Sequence, residues 1–330
     1  MEKIFTSRER EFYSGKRLEK SLEYLNMSKI NQSLSFLQLK SKPPTGKILR
    51  CPSSASAASA ATRSSSRASS QNISLKSVKG LRITASAFCV LDSQTGWVLA
   101  SRRDSEMREI ASLTKIMTCY TVIQLVSKNI VSYTDVVKIS KQASKVSGTS
   151  ADLNENDEIL LLDLLYGLML PSGNDAAWAL AEHCGKKLSS GQPVQNFLSE
   201  MNSNCKKIQL NYTFFRNPHG MAVNKNLSTA RDVCKLSQVA LKIEKFGTIV
   251  STKSHMAFIK NEGKVRVKTW ENTNKMLQSG YVGVKTGITS TAGPCLCSSF
   301  GNIIIVLLNS RSMEDRWRET EALLNLVQDM

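Results

Sequence analysis

From about residue 83 onward the apolar positions follow two different periods. Phe88, Val90 and Leu91, the turn Asp92-Ser93-Gln94-Thr95-Gly96, and then Trp97-Val98-Leu99-Ala100 predict a β-hairpin. Such a pair needs further strands to be stable, and three turn-bounded apolar segments at the far end, 280–285, 293–300 and 303–309, supply them. Between these groups the pattern is helical: 113–127, 159–170 stopped by Pro171, 175–184 stopped by Gly185, and 230–242 with Thr229 and Asp232 placed as a capping box. A last helical stretch covers 313–327. Strands at both ends with helices between them predict an α+β fold. Its antiparallel sheet is assembled from distant segments and flanked by helices, with an inserted all-helical lobe and a cleft between sheet and lobe.

One helix stands apart. Ile116, Met117, Cys119, Tyr120, Val122, Ile123, Leu125 and Val126 cover nearly the whole circumference of 113–127, and a helix that is apolar all round belongs in the centre of a domain.

The first 80 residues show neither period. They are Lys- and Glu-rich with scattered Leu, then a Ser/Ala/Arg tract over 53–70, and neither part can bury a core. The division expected is a basic, Ser-rich disordered arm over 1–80 and a catalytic domain over 81–330. Leu18, Leu22 and Leu25 allow no more than a transient helix in that tail.

Charge sharpens this picture. The formal net charge is +17, and the first 80 residues hold 15 Lys and Arg against 5 Glu. Most of the excess therefore lies on the arm, which reads as a solvated tail, and no nucleic-acid partner is expected. The start of the chain alternates charge and does not match a secretory signal. No run approaches the roughly 18 apolar residues of a spanning helix, so a soluble, intracellular protein is expected. Eight cysteines at irregular spacing and three His give no zinc-type cluster; neither metal nor other cofactor is called for. Several cysteines sit in apolar runs, where a reduced thiol acts as a small hydrophobe, and this suggests a reducing compartment.

Candidate chemistry begins at Ser112-Leu113-Thr114-Lys115. A hydroxyl and an amine three residues apart share one helical face. The helix start supplies unsatisfied amides, and the buried helix lowers the cost of a neutral Lys115 that can take the Ser112 proton. Ser203 and Lys206 repeat the spacing, but in a polar segment assigned to solvent. Ser172-Gly173-Asn174 follows Pro171 in a tight turn between helices, where helix capping is the ordinary alternative. Lys285-Thr286-Gly287 falls on a predicted strand, with Gly287 removing a side chain where another backbone could approach. In this order the three motifs are the signature of penicillin-binding proteins and the related β-lactamases.

Over residues 83–328 the chain resembles the low-molecular-mass D-alanyl-D-alanine carboxypeptidases, peptidase family S11. The matching stretches include Ala111 to Thr118, Ser172 to Ala177, Asn217-Pro218-His219-Gly220, Ser228 to Asp232, Asn272 to Lys275, Gly283 to Gly287 and Ala292-Gly293. The resemblance implies a β-lactamase/transpeptidase-like fold and a serine peptidase that removes the last residue of peptides ending in D-Ala-D-Ala, with β-lactams as covalent inhibitors. It implies Ser112 as the acylated nucleophile, Lys115 as its base, Ser172 and Lys285 as a proton relay, and Asn174 as a holder of the substrate amide. An oxyanion hole would form from the backbone amides of Ser112 and Ile288. Arg316, aided by Thr286 and Lys285 beside Gly287, would bind the terminal carboxylate, with Arg311 and Arg318 as rivals.

Two departures from the family are visible. The secretory signal and second β domain of most relatives are not recognised here, and Pro294 follows Ala292-Gly293, predicting an edge or bulge. The rival functions are a β-lactamase or esterase-like hydrolase and a non-catalytic penicillin-binding module. A class A deacylating glutamate would lie between the second and third motifs, whereas Glu321 to Asn325 lies beyond Lys285, and no catalytic side chain is lost.

Overall fold

In the computed structural model, which describes residues 82–221 and 225–329, the two ends of the described chain meet in one sheet. The expected arm over 1–80 and its boundary lie outside the described residues. The chain enters through a hairpin, β1 (Ala87–Asp92) and β2 (Val98–Arg102), followed by the short β3 (Arg108–Glu109), a 3-10 turn at Ala111–Leu113 and α1 (Thr114–Ser127). An excursion follows through β4 (Val136–Lys138), the single-turn α2 (Lys141–Ser144), β5 (Glu158–Leu160), α3 (Leu161–Met169), α4 (Asn174–Leu188) and α5 (Pro193–Lys207). It continues with β6 (Leu227–Ser228), α6 (Ala230–Leu241), α7 (Glu244–Ser251) and a second hairpin, β7 (Ser254–Asn261) and β8 (Lys264–Glu271). The chain closes with β9 (Val282–Gly287), β10 (Cys295–Phe300), β11 (Ile303–Leu308) and α8 (Met313–Gln328).

The main sheet has the order β2-β1-β11-β10-β9, and every pairing is antiparallel. Its central strand reads Ile-Ile-Ile-Val-Leu-Leu without alternation because both faces are covered. Ile304, Val306 and Leu308 pack toward the core around α1, while Ile305 and Leu307 pack with Phe88, Val90 and the α8 residues Leu323 and Leu324. α1 is buried at the middle of the domain as its composition requires, from Thr114 through Ile123 and at Leu125. All seven described cysteines are free and buried.

The start of the described chain is fastened by charge. Buried Glu319 of α8 accepts from the amides of Thr84 and Ala85 and from Ser310 Oγ, while Arg102 donates to the Ile83 and Ala85 carbonyls. Among the described residues no helix is long and apolar enough to cross a membrane.

The α+β class and the sheet built from both ends are as expected, but the inserted part is not all-helical. β4, β5, β7 and β8 form a second antiparallel sheet. Residues 158–160 belong to it, so the helix expected from 159 begins at Leu161. α4 runs through Gly185 to Leu188: a β-carbon at Gly185 would collide with the Pro193 backbone, so the glycine serves packing rather than termination. Thr229 Oγ1 does cap α6 by accepting from Asp232 N, but the buried Asp232 carboxylate accepts from Tyr212 N and Thr213 Oγ1 instead of closing the box. β10 is an interior strand that begins just after Pro294, so the missing amide lies outside the ladder; the register shift falls between Cys297 and Ser299.

Candidate active site

Ser112 lies in the 3-10 turn that leads into α1, with the preceding Ala111 held at φ 47°. One helical turn on, the Lys115 side chain is completely buried. Its Nζ sits 2.9 Å from Ser112 Oγ, 2.7 Å from Asn174 Oδ1 and 2.8 Å from the His219 carbonyl oxygen. The Asn174 orientation is fixed from its other end, because Nδ2 donates to the Ser147 carbonyl at 2.7 Å. Two of the three Lys115 partners can only accept. A neutral amine satisfies both with its two N–H groups and leaves its lone pair toward the Ser112 hydroxyl, the one partner able to donate.

The electrostatics favour that neutral form. Burial pushes Lys115 well below the ordinary lysine value, and the charge of Lys285 lowers it further against the opposing pull of Asp175. Lys285, also buried, is lowered to about 7, first by burial and then by Arg316. Its Nζ donates to the Thr286 carbonyl at 3.0 Å.

The turn between α3 and α4 carries Ser172 at φ 67°, a left-handed conformation that a serine adopts only under constraint. Its carbonyl accepts from Thr149 Oγ1 at 2.6 Å, whereas its own Oγ is buried without a hydrogen-bond partner among the described residues. Asp175, in the first turn of α4, ties the same region together by accepting from Ser150 Oγ and the amides of Ala151 and Leu153.

β9 is an edge of the main sheet and runs against the Ser112 turn. A β-carbon at Gly287 would stand 3.0 Å from Ser112 N and 3.2 Å from Ile110 O, so the glycine is what lets the strand end lie beside the nucleophile. Thr286 Oγ1 is 2.9 Å from Thr273 Oγ1. Ile288, next in line, is half-exposed.

Of the three candidate arginines, Arg311 and Arg318 are exposed and both pair with Asp315. Arg316 points inward, donating from Nη1 to Gly287 O at 3.3 Å and Cys295 O at 3.1 Å, with a buried Nε that has no hydrogen-bond partner among the described residues. Burial lowers it to about 10. The rival pair Ser203 and Lys206 lies on α5 with Lys206 exposed, and Glu321 and Asn325 lie on the outer side of α8. Both readings that set these groups aside agree with their placement.

Sequence reasoning gave no role to the 217–220 segment, yet it closes the site. The His219 carbonyl receives Lys115, and Thr118 Oγ1 donates to Pro218 O at 2.6 Å. Asn217 Oδ1 accepts from Gly220 N at 2.7 Å, and Asn226 links Asn217 to Thr114 Oγ1. The His219 ring stacks on Trp178 and is held neutral, lowered to about 3 by burial and by Lys115. The Asn-Pro-x-Gly sequence signals a turn; that its carbonyl feeds the base is a matter of tertiary placement.

Comparison with known proteins shows the family and the fold. The family model described as D-alanyl-D-alanine carboxypeptidase matches residues 74–311. The D-alanyl-D-alanine carboxypeptidase of Streptomyces sp. strain K15 is 33% identical over 250 residues, covering 71% of this chain and 84% of that protein. The carboxypeptidase DacF of Bacillus subtilis is 30% identical over 250 residues, 74% of this chain but 62% of its own length. The crystal structure of the Streptomyces K15 DD-transpeptidase superposes with a TM-score of 0.70 at 32% identity, covering 76% of this chain and 98% of that one. The chain belongs to the D-alanyl-D-alanine carboxypeptidase family of serine peptidases. Its architecture is the transpeptidase/β-lactamase type of fold.

Proposed function

We propose that the chain cleaves peptides ending in D-Ala-D-Ala through an acyl-enzyme on Ser112. The observation that carries this reading is the fully buried Lys115 amine, matched to two carbonyl acceptors and to the Ser112 hydroxyl at 2.9 Å. Ser112 Oγ attacks the carbonyl carbon of the terminal peptide bond as its proton passes to Lys115 Nζ. The resulting oxyanion is held by the amides of Ser112 and Ile288, a reading supported by the close packing of Gly287, the residue before Ile288, on the Ser112 turn. Collapse breaks the C–N bond, and a proton reaches the departing D-alanine nitrogen through the Ser172 hydroxyl and Lys285. Water then cleaves the Ser112 ester and releases the shortened peptide. Asn174 steadies Lys115 through Oδ1, and its second amide hydrogen is the group offered to the substrate. The free edge of β9 provides backbone groups for an extended peptide. β-Lactams, which present an acylating amide beside a carboxylate, enter the same path and stop at the ester.

Arg316 is the cation for the substrate's terminal carboxylate, supported by its inward position at Gly287 and by the pairing of both rivals with Asp315. A charge-assisted contact contributes roughly 1.5 to 3 kcal/mol, or about tenfold to a hundredfold in rate when it persists in the transition state. A D-Ala-D-Ala peptide acid is therefore expected to turn over faster than its C-terminal amide by that factor, and Arg316→Ala is expected to remove most of the preference. The acid-to-amide ratio is internally controlled, so a general loss of activity does not imitate the result. Equal turnover of acid and amide by the wild type would exclude carboxylate recognition at this site.

A further inference from the structure

Glu109 lies in β3, three residues before the nucleophile. Its Oε1 is 2.6 Å from Lys225 Nζ, and its Oε2 accepts from Thr291 Oγ1 at 2.5 Å. Burial raises the affinity of this carboxylate for a proton, but the hydrogen bonds from Lys225 and Thr291 outweigh it and hold Glu109 ionised below its ordinary value. Thr291 belongs to the loop over 288–294 that joins β9 to β10 and begins with Ile288. That loop is stiffened internally: Ala292 N donates to Thr289 Oγ1 and Gly293 N to Thr289 O, each at 3.0 Å. Those bonds set its shape; Gly287, packed on the Ser112 turn, places the Ile288 end of the loop, and Thr291 carries the contact from its other half back to β3. The Glu109–Thr291 bond joins the loop to the strand that feeds the Ser112 turn.

We propose that Glu109 is a positioning residue for the oxyanion hole: by holding Thr291 it fixes where the Ile288 amide stands relative to the Ser112 amide. This rests on the acyl-enzyme reading above. The Glu109 side chain is 14% exposed and its lysine 57%, but the Glu109–Thr291 bond itself lies at the surface, where a single polar contact contributes little to stability. The contact therefore has little effect on folding, and its loss appears in the rate.

The test uses the full chain with Glu109→Ala, Glu109→Gln, Thr291→Val and the Glu109→Ala/Thr291→Val pair. Three quantities are measured: kcat and KM on a D-Ala-D-Ala peptide, the penicillin acylation rate, and affinity for a peptide boronic acid, whose tetrahedral adduct on Ser112 places an oxygen in the oxyanion position. Displacing one donor without removing it is expected to lower kcat, acylation and boronate affinity together by about tenfold. KM should stay within about twofold, since only transition-state contacts are lost. Thr291→Val should match Glu109→Ala, the pair should be no worse than either alone, and Glu109→Gln, which keeps an acceptor for Thr291, should recover most of the rate. Wild-type kcat and boronate affinity in Glu109→Ala, an effect confined to KM, or losses that multiply in the pair would each overturn the proposal. If Glu109→Ala does not fold, Thr291→Val decides, since it leaves the carboxylate and its lysine in place. Variants indistinguishable from a wild type that acylates Ser112 would sink this proposal alone, whereas a wild type that never acylates Ser112 removes the reading beneath it.

Discussion

Lys115→Met is expected to slow acylation of Ser112 by about a thousandfold or more, the upper part of the range for losing a positioned general base, without unfolding the domain. Methionine fills a similar volume inside a helix that is buried on nearly every side. The variant should also lose the pH dependence of stability that the buried amine imposes near pH 7. In the folded wild type the Lys115 proton affinity is depressed, so between the folded and unfolded values the unfolded chain binds a proton that the folded one does not, and stability there rises with pH. Removing the amine removes that penalty. The same sign governs the rate: wild-type acylation should rise with pH as Lys115 loses its proton, with a midpoint well below the ordinary lysine range. Because the Lys285 charge helps to depress Lys115, Lys285→Gln should move that rising limb to higher pH. Stopped-flow acylation by a fluorescent penicillin across pH, alongside thermal melts, checks all three outcomes. Unchanged acylation in Lys115→Met would remove the proposed base.

Gly220→Ala is the second large effect. Gly220 sits at φ 94°, and a β-carbon there would stand 1.9 Å from the Ala111 carbonyl oxygen and 3.0 Å from Ser112 N. The contact is backbone on backbone, so no side chain can swing away. Forced left-handed geometry and overpacking together are expected to cost roughly 2 to 4 kcal/mol of stability. The relief available is to push the Ser112 turn away from the 217–220 segment, which also carries the carbonyl that receives Lys115. Acylation should therefore fall by at least about a hundredfold even at temperatures where the variant is folded, since misplacement of reacting groups on this scale has that effect. Denaturant melts and acylation rates measured on the same preparation separate the two losses. A variant with wild-type stability and rate would mean that the backbone contact is not maintained in solution.

Much of this was legible in the residues themselves. The buried helix announced its place by having no polar face, and the three sequence motifs fell on a helix start, an inter-helix turn and a strand, as their proposed chemistry requires. The sequence left Arg316 with Arg311 and Arg318 as rivals, although the inward placement of Arg316 has a local signal: it shares a helical face with Glu319, Thr320 and Leu323, all buried, whereas Arg318 lies off that face and pairs back to Asp315. The β7–β8 hairpin carries a signal as well, with Glu262-Gly263 at φ 47° and 78° between two alternating runs, so the inserted part is not all-helical. Other features leave no trace in sequence. β4 and β5 are three residues each, too short for any periodicity. The third partner of Lys115 is a backbone oxygen, which every residue possesses, and only the tertiary approach of the 217–220 segment makes the His219 carbonyl the one used. The Glu109–Thr291 contact joins residues 182 positions apart, with nothing local to either one that names the other.

The most direct test of the central claim is mass spectrometry of the full chain after exposure to benzylpenicillin, with peptide mapping of the modified residue. A single penicilloyl adduct on Ser112, absent in Ser112→Ala, is the predicted result. Labelling at Ser203 or elsewhere, or no adduct on a folded wild-type chain, would contradict it.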